Sequence, residues 1–524
     1  MNKRFRFLKY FSAIVLISLF LLGLLFFSLQ AERSVQAAGP IYVDDDTCPA
    51  VGNGSQTNPF CSIQDAVEAA SAGDEIHVAG GTYTGTYTET SASGIEYVQV
   101  VFIDRALTLR GGYNADDWAA TPDRAAHPSV IDAQRFGRGI TIVGSGSEEV
   151  IIDGFTITGG DYTDLGNPEG ISHNECVNTG WDCGGGLYAY GVLLQLQNSL
   201  VWNNYASRPS SSRNGDGGGI YLYDTMAGSR IESTRVISNS VSGTSGTGGG
   251  LGLDFSEELI LWNCTFSENY AANEGGGAYV FQPNGALVVQ RSQFVNNTAD
   301  DYGGGLKVNI VEDDNGLFMD RVLFQGNKSN KGAGLFINKQ GADPSSASLE
   351  NLMFIRNEPI AVFGNSAALH IAHSSNFTVT IKHATAVWNN IPNFLFAESD
   401  ADPVTLKVDL YNTLVADVGI AFLAIENGSG QVEITHTNTF TSNISKLHDN
   451  FGGSPTFTAI DTMTGDPRLD HSGHIQYGSD AIDAGVAAGL QFDIDSEQRV
   501  DGAPDIGADE YYCHLFLPLL FQDQ

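Results

Sequence analysis

The stretch that decides the fold runs from Phe266 to Gly305. It contains Phe266-Ser-Glu-Asn269, Gly275-Gly-Gly277, Phe294-Val-Asn-Asn297 and Gly303-Gly-Gly305. The two asparagines lie 28 residues apart, and the two glycine triplets have the same spacing. Between these signatures apolar and polar residues alternate, with no apolar stripe of helical period. The stretch therefore predicts short strands joined by bends, repeated once per coil of a solenoid.

Both signatures recur along the chain. Glycine clusters begin at Gly184, Gly217, Gly248, Gly275, Gly303 and Gly332. The asparagines in phase with them are Asn204, Asn239, Asn269, Asn297, Asn327, Asn357 and Asn390. Because one coil cannot bury its apolar side chains alone, successive coils are expected to stack into parallel sheets around a shared core. We predict one solenoid over residues 75–435 with roughly a dozen coils.

Each signature has a predicted structural role. Asparagine tolerates the left-handed backbone conformation of a tight bend, and its amide can hydrogen-bond to equivalents in the coils above and below. Glycine lets the backbone turn where a Cβ would clash. The glycine clusters lack the neighbouring Lys and Ser/Thr of a phosphate-binding loop. Both signatures are therefore predicted to be scaffold.

The in-phase repeats resemble those of the polymorphic outer membrane protein family, from Gly184 to about Asn390. The opening stretch, Ile41 to Tyr83, is similar to the start of pectate-lyase-like proteins. These resemblances imply an all-β fold, a right-handed parallel β-helix whose open end is plugged by a short helix. Ser62-Ile-Gln-Asp65 has the form of a helix capping box. It places that helix in an N-terminal cap, residues 38–74, before a first strand at Glu75.

Residues 436–524 are predicted to form an acidic C-terminal module with a tail. Ser479-Asp-Ala-Ile-Asp-Ala-Gly485 and Asp505-Ile-Gly-Ala-Asp-Glu-Tyr511 resemble a module that follows β-helix repeats in surface-attached bacterial proteins, where it is described as an anchor. Oxygen-rich acidic loops suit Ca²⁺, although EF-hand spacing is absent. Two interpretations of these loops therefore remain: they bind calcium, the one cofactor considered, or they bind no metal. Its candidate ligands are Asp493, Asp495, Asp501 and Asp505.

Net charge and the N-terminal sequence limit the partners of the protein and the compartment in which it is expected to work. The chain has 26 Lys and Arg against 61 Asp and Glu, a net charge of −35. Such a field repels phosphate backbones, so nucleic acid is excluded as a partner. Residues 1–37 combine basic residues, an apolar run from Phe11 to Leu29 and the cleavage pattern Val35-Gln-Ala37. They are expected to be a signal peptide or, if uncleaved, a membrane anchor, and both place the remainder outside the cell.

The cysteines fit an exported chain. Cys48 with Cys61, and Cys176 with Cys183, are close in sequence and are the expected disulfides. Cys264 falls on the inward phase of a predicted strand, where a free thiol acts as a small apolar residue. None of the cysteines has the spacing of a metal site.

Alternation in the strands after the glycine clusters predicts which side chains face outwards. The outward set is rich in aromatic rings, and with one lysine it is the predicted carbohydrate-binding face: Tyr188, Tyr190, Tyr221, Tyr223, Tyr279, Phe281 and Lys307. Coils about 4.8 Å apart approximate the length of a sugar unit, so such rings could stack on successive sugars. The alternative is that the rings only stabilise the strands, under a cover such as the loop from Ser207 to Asp216.

We therefore expect a monomeric, secreted or cell-surface β-helix protein that contacts polysaccharide without catalysis. The alternative is a polysaccharide lyase or glycoside hydrolase of the pectate-lyase-like group. Asp254 with Lys307 is the one carboxylate-and-base pair on the aromatic face. His370, His373 and His383 are expected to pack or face solvent. No catalytic and no metal-binding residue is predicted, and a neutral glycan is the easier ligand for so acidic a chain.

Overall fold

The structure is a computed structural model that describes residues 39–512, except 91–93, 167–175, 177–179, 212, 282–284, 312–315, 342, 400–402, 443–445 and 500–502. The expectations for residues 1–37, for Asp501 and for the C-terminal tail fall outside these residues. In the described part, strands stack in parallel into a β-helix of about 12 turns with almost no helix. The predicted all-β parallel β-helix is confirmed.

Three faces surround the core, and each is a column of strands paired in register from coil to coil. Face A contains Glu96–Ile103, Ile220–Tyr223, Leu251–Asp254, Ala278–Phe281, Leu306–Ile310, Leu335–Lys339, Ala367–His373, Asn393–Ser399, Ile420–Glu426 and Lys446–Gly452. Face B contains Ile41–Val43, Glu75–Ala79, Leu107–Tyr113, Ser229–Glu232, Leu259–Trp262 and Leu287–Gln290. Face C contains Gly81–Tyr83, Ser129–Asp132, Phe155–Thr158, Leu200–Trp202, Arg235–Ile237, Thr265–Ser267 and Gln293–Val295.

Longer strands bend from one face to the next. Those that join faces A and B are Arg138–Asp153 and Leu187–Gln197. Those that join faces B and C are Leu317–Gln325, Ser345–Ile355, Phe377–Val387, Thr405–Ala416, Gln431–Ser442 and Thr456–Thr464. The short strands at the corners are Asp182–Cys183, Gly215–Asp216, Ser240–Val241, Tyr270–Ala271 and Thr298–Ala299. One antiparallel strand, Tyr87–Thr90, pairs with Glu96–Ile103.

The core follows the predicted alternation. The inward side chains of face A pack in columns, and all are fully buried: Leu187, Ala189, Ile220, Leu222, Leu251, Leu253, Ala278, Val280, Leu306, Val308, Leu335 and Ile337. On face C, the rings of Phe266, Phe294, Phe324 and Phe354 stack with centroids 5.0–5.2 Å apart. Stacking of identical residues makes each coil depend on its neighbours for burial.

The end of the solenoid carries the predicted helix. It spans Ile63–Ala69, and the Ser62 side chain accepts a hydrogen bond from the Asp65 backbone N–H. Ile63, Ala66 and Val67 are buried against the first coils. A short 3-10 helix, Asp45–Thr47, precedes it.

The asparagine ladder is confirmed, with two corrections. Each ladder amide donates to the side-chain oxygen of the next at 2.9–3.1 Å, from Asn204 onward. The last member is Asn389 and not Asn390, because Ala386, and not the apolar Val387, occupies the register position of Phe354, and the residue three positions later is Asn389. The left-handed residue of each bend is the one before the ladder asparagine, for example Trp388 with φ 51°.

The glycine clusters act as predicted. The first glycine of the central cluster, Gly275, has φ +63°. A Cβ on Gly276 would lie 2.4 Å from the Thr298 carbonyl oxygen and 2.5 Å from that of Gly304. Only glycine lets the coils approach this closely.

Both predicted disulfides, Cys48–Cys61 and Cys176–Cys183, are present, and Cys264 is a buried free thiol. Disulfides are typical of proteins that work outside the cell. Among the described residues, no helix has the length and apolar character needed to cross a bilayer.

The polypeptide after Thr464 folds back onto the corner between faces B and C. The Asn351 carboxamide donates to the Phe492 carbonyl and accepts from Arg499, each at 3.0 Å. Asn412 donates to the carbonyl of Val486 and accepts from its N–H. A small apolar cluster, to which Ile475 and Ile506 contribute, completes the contact. The C-terminal segment is thus held by corner residues of the last coils.

Candidate functional site

An open groove lies on the outer side of face A, over the coils from Glu274 to Asn427. Its volume is about 670 Å³. Its lining is mostly polar and includes Glu274, Tyr302, Lys307, Lys331, Asn338, Gln340, Ser374, Glu398, Ser399 and Asn427. Of the seven residues predicted for a carbohydrate-binding face, only Lys307 lines it.

Register places the groove residues in three columns. The first follows the middle of face A: Tyr279, Lys307, Phe336, His370 and Phe396. The second lies two residues further along each strand: Phe281, Asn309, Asn338, Ala372 and Glu398. The third consists of the residues just before the glycine clusters: Asp216, Thr247, Glu274, Tyr302 and Lys331. The groove is therefore built by the repeat itself.

Lys307 lies at the upstream end of the groove, almost fully buried at 5% exposure. Its Nζ is 2.6 Å from Glu274 Oε2. The same Nζ lies 4.8 Å from the ring centroid of Tyr302 and 5.4 Å from that of Phe336. Burial lowers the pKa of Lys307, while the Glu274 carboxylate opposes that shift. The lysine is thus held by one carboxylate and aromatic faces, in a site largely shielded from water.

Downstream, His370 and Glu398 form a second polar pair. His370 is fully buried between Phe336 and Phe396, and its Nε2 lies 3.2 Å from Glu398 Oε2. Burial lowers the His370 pKa, so the neutral ring donates through Nε2 to the carboxylate. This hydrogen bond lowers the pKa of Glu398. Lys331 Nζ lies 3.9 Å from the same carboxylate oxygen.

The remaining lining consists of amides and hydroxyls. Asn338 donates to Asn309 Oδ1, and Asn309 donates to the Tyr279 hydroxyl, each at 3.1 Å. Asn427 Nδ2 donates to the Ser399 carbonyl at 2.9 Å. Among the described residues that line the groove, the charged side chains are two lysines and two glutamates, whose charges balance although the protein is strongly acidic.

Two of the predicted tyrosines, Tyr188 and Tyr221, lie under a cover and not on an open surface. Their exposures are 1% and 0%. They pack in one apolar cluster with Ile95, Tyr97, Cys176 and Cys183. Ile95, Tyr97 and the Cys176–Cys183 disulfide therefore contribute to the cover. Sequence alternation was right that these rings point away from the core, but it could not show the cover.

The other predicted rings are partly exposed and form a patch that adjoins the covered cluster, since the Tyr221 and Tyr223 ring centroids are 6.4 Å apart. The ring centroids of Tyr190 and Tyr223 are 5.4 Å apart, and those of Tyr279 and Phe281 are 6.3 Å apart. Phe255 connects the two pairs, with centroids 6.2 Å from Tyr223 and 6.1 Å from Phe281. This aromatic patch lies on the same face, upstream of the groove.

Asp254, the predicted carboxylate partner of Lys307, is buried on face A and does not line the groove. Its Oδ2 accepts a hydrogen bond of 2.8 Å from the Tyr221 hydroxyl. Asp216, also buried, accepts a short hydrogen bond from Thr247. Burial raises the pKa of both acids, to about 7 for Asp254, and the charge of Asp254 adds to the shift of Asp216. At least one of the pair therefore keeps its proton in weakly acidic solution.

The predicted histidines do not gather into one site. His373 Nδ1 donates to the Ser375 carbonyl at 2.8 Å, and His383 Nδ1 donates to the Gly507 carbonyl at 3.1 Å. Among the acids considered for calcium, Asp493 accepts backbone N–H groups of Asp495 and Glu497. The Asp505 carboxylate binds the backbone N–H groups of Asp483 and Tyr511.

The groove can recognise a ligand that is rich in hydroxyl groups. Carboxylates and amide oxygens accept from sugar hydroxyls, lysines and amide nitrogens donate to them, and the half-exposed Tyr302 ring offers a flat apolar face. Sequence analysis missed Glu274, Tyr302, Lys331 and Glu398. The first three could have been found, since each stands immediately before a glycine cluster.

Comparison with known proteins gives structural likenesses only. No protein-family model matches the chain, and no curated protein sequence matches it. Pectate lyase Pel9A aligns over 90% of this chain and 96% of its own, with 12% identity and a TM-score of 0.40. A GH87 alpha-1,3-glucanase from Streptomyces thermodiastaticus aligns over 82% and 69%, with 15% identity and a TM-score of 0.39. An alginate lyase from Paenibacillus sp. aligns over 76% and 96%, with 10% identity and a TM-score of 0.26.

Proposed function

We propose that the protein is an exported β-helix protein that binds a neutral polysaccharide in the groove of face A without cleaving it. The observation that carries the proposal is the open polar groove, which extends across several coils at a spacing of about 4.8 Å. A polymer of similar repeat length can place successive units over successive coils. The groove thus suits an extended chain better than a compact ligand.

The chemistry of the lining supports a sugar ligand. Asn338, Gln340 and Asn427 supply amides that both donate and accept, as hydroxyl-rich ligands require. Tyr302 supplies the aromatic face on which a sugar ring can stack. The two lysines of the described lining are each beside a glutamate, at 2.6 and 3.9 Å, so neither is left unpaired to select a polyanion. A neutral glycan therefore fits it better than a polyuronate.

The proposed location is the cell surface or its surroundings, with the protein as a monomer. Two disulfides suit an oxidising compartment. Residues 1–37 supply the proposed signal or anchor, and the C-terminal segment the proposed attachment module. We also propose that the repeats are of the polymorphic outer membrane protein type, on the basis of their in-phase Gly-Gly-Gly and Phe-x-x-Asn signatures.

Binding to a panel of neutral and acidic polysaccharides tests this function. Lys331→Ala should weaken binding of the best neutral glycan at least about tenfold, the effect of losing one charged hydrogen bond. Lys328→Ala is the matched control, because Lys328 is three residues away and pairs with Glu358 outside the groove lining. Equal affinities for the two variants would contradict the groove assignment, as would exclusive binding of polyuronates.

Glycan cleavage is the second candidate, favoured by one specific observation. Lys307 combines a lowered pKa, near-complete burial and an adjacent carboxylate. A lysine of this kind can act as a general base, taking a proton from carbon while the glycosidic oxygen leaves and a carbon–carbon double bond forms. That reaction requires an acidic sugar whose carboxylate stabilises the carbanion.

Product analysis separates the two candidates. Incubation with each glycan of the panel should yield neither unsaturated sugar ends nor new reducing ends if the protein only binds. Unsaturated products that disappear in Lys307→Met, but persist in Lys407→Met on the surface, would establish the lyase instead. New reducing ends that appear without unsaturated sugar ends, and that are lost in Glu274→Gln, would establish a hydrolase.

A further inference from the structure

A cluster of mixed metal-ligand type lies in the C-terminal segment, away from the groove of face A. One nitrogen of His474 and carboxylate oxygens of Asp495 and Asp509 lie within 4.8 Å of one another. His474 Nε2 is 2.9 Å from Asp495 Oδ2. Asp509 is nearly fully buried, whereas the Asp495 side chain is 51% exposed. The three side chains come from three separate turns of the segment.

Hydrogen bonds on the far side of the imidazole fix its tautomer. Ser472 Oγ donates its one hydrogen to Asp470 Oδ1 at 2.7 Å. The same oxygen lies 2.9 Å from His474 Nδ1, so it must accept the hydrogen of Nδ1. In a neutral ring this leaves a lone pair on Nε2, directed at the Asp495 carboxylate. A proton on Nε2 satisfies this contact in the metal-free protein, because the hydrogen bond to Asp495 raises the pKa of His474 to about 9, and a metal ion at the site would take the place of that proton.

We propose that His474, Asp495 and Asp509 bind one divalent transition-metal ion, for which Zn²⁺ is the first probe. One imidazole and two carboxylates form a donor set that suits such an ion better than Ca²⁺, which prefers oxygen ligands alone. Ligand atoms about 3.3 Å apart suit tetrahedral Zn²⁺ with bonds of about 2.0–2.1 Å. His474 Nε2 and Asp495 Oδ2, at 2.9 Å, are within a few tenths of an ångström of that spacing, and a carboxylate oxygen of Asp509 lies within 4.8 Å of a ligand atom of each.

The surroundings match those of a protein metal site. The Asp470–Ser472–His474 chain is a second layer of hydrogen bonds of the kind that orients metal-bound histidines. Asp509 Oδ2 accepts from the Ile475 N–H at 2.6 Å, which leaves its other oxygen for a metal. His474 and Asp495 also line a groove of about 390 Å³ beside Arg321 and Ser496. The remaining coordination position therefore opens to solvent.

The ion would join three turns of the segment that folds back on the last coils. Residues 470–474, 493–496 and 508–510 are each held by hydrogen bonds to neighbouring backbone groups. Cross-linking these turns through one metal at free concentration c would stabilise the folded segment by RT ln(1 + c/Kd), which rises with the logarithm of metal concentration once that concentration exceeds the dissociation constant. The site is thus assigned a structural role.

Equilibrium dialysis of the full-length metal-free protein against Zn²⁺, with metal content measured by mass spectrometry, tests the site. About one Zn²⁺ per chain is expected. Asp495→Asn, at an exposed position, should lower the affinity by about 100-fold or more, and Ser472→Ala by about 10–100-fold. The matched control is His471→Ala, an exposed histidine three residues away, which should leave binding unchanged. Circular dichroism spectra should show that all variants fold.

Cobalt provides a second measurement that does not depend on affinity. Co²⁺ bound to the wild-type protein should give visible absorption bands that disappear in Asp509→Asn and persist in His471→Ala. The proposal is overturned if the wild-type protein binds no more Zn²⁺ than Asp495→Asn, and nitrogen-15 NMR shows both His474 nitrogens protonated. Binding of Ca²⁺ in preference to Zn²⁺ at these residues would also overturn it.

Discussion

The Nζ of Lys307 lies 2.6 Å from Glu274 Oε2, beside the rings of Tyr302 and Phe336 at the upstream end of the groove. The lysine is 7% and the glutamate 16% exposed at the side chain. A pair this deeply buried is sensitive to the loss of either partner, because the remaining charge is left without compensation.

Lys307→Met should therefore lower the free energy of unfolding by about 3 kcal/mol. The double variant Lys307→Met/Glu274→Gln should recover most of that loss, since it removes both charges together. Denaturant titration of the four proteins of this double-mutant cycle measures the coupling. Breaking the surface pair Lys407–Asp409 with Lys407→Met should cost less than about 1 kcal/mol. If the losses of unfolding free energy in the two single variants simply added in the double variant, the pairing would be contradicted.

The end of the asparagine ladder gives a prediction at neighbouring positions. Asn389 Oδ1 accepts from the backbone and the side chain of Asn357, and its amide donates to the Phe354 carbonyl. Asn389→Ala should cost about 3 kcal/mol, because buried donors lose their acceptor. Asn390→Ala, at an exposed position, should cost less than about 1 kcal/mol. Thermal and denaturant unfolding of the two variants would show the reverse order if Asn390 were the ladder residue.

Stability should depend on pH through the buried acids. Burial raises the pKa of Asp254 from 3.8 to about 7. Between those values the folded protein holds a proton that the unfolded chain has released, so this acid makes the fold less stable as the pH rises. Asp254→Asn removes the effect, and Tyr221 can still donate to the amide oxygen. Relative to the wild-type protein, the variant should gain at least about 1 kcal/mol in unfolding free energy from pH 4 to pH 7. If the unfolding free energies of the variant and the wild-type protein differed by a constant amount across this range, Asp254 would not hold the proton assigned to it.

The thiol of Cys264 should be unreactive in the folded protein. Burial raises its pKa to about 12, and its Sγ is 3.1 Å from the Ile231 carbonyl oxygen. Since the thiolate is the reactive form, iodoacetamide at pH 8 should not label it until the chain is unfolded. A Cys513→Ser background leaves Cys264 as the one free thiol to be measured. Rapid labelling of the native protein would contradict its burial.

Much of the fold could be predicted because the repeat encodes it locally. Glycine clusters and asparagines fix bends at one spacing, and alternation between them fixes which side chains enter the core, such as Leu253 and Val280. The prediction that Asn390 belongs to the ladder was wrong. It rested on the three-residue spacing between each ladder asparagine and the apolar residue before it. Ala386 replaces phenylalanine in that coil, so the spacing no longer marks the ladder.

The candidate site was harder to predict because exposure depends on contacts distant in sequence. Alternation places Tyr188 and Lys307 on the same outer column of face A. Tyr97 and Cys176 nevertheless cover Tyr188. Lys307 lies beside Glu274, which belongs to a corner column and not to a face A strand. Aligning the residues that precede each glycine cluster recovers that column, whereas the cover requires the folded structure.

Whether a glycan occupies the groove of face A can be seen in a crystal structure of the protein with a bound neutral oligosaccharide. The oligosaccharide would be cut from the polysaccharide that binds best in the panel. We expect sugar density between Tyr302 and Asn427, with one ring against Tyr302 and hydroxyls within hydrogen-bond distance of Lys331 and Glu398. Density confined to the aromatic patch at Tyr190 and Tyr223, with the groove empty of sugar, would contradict it.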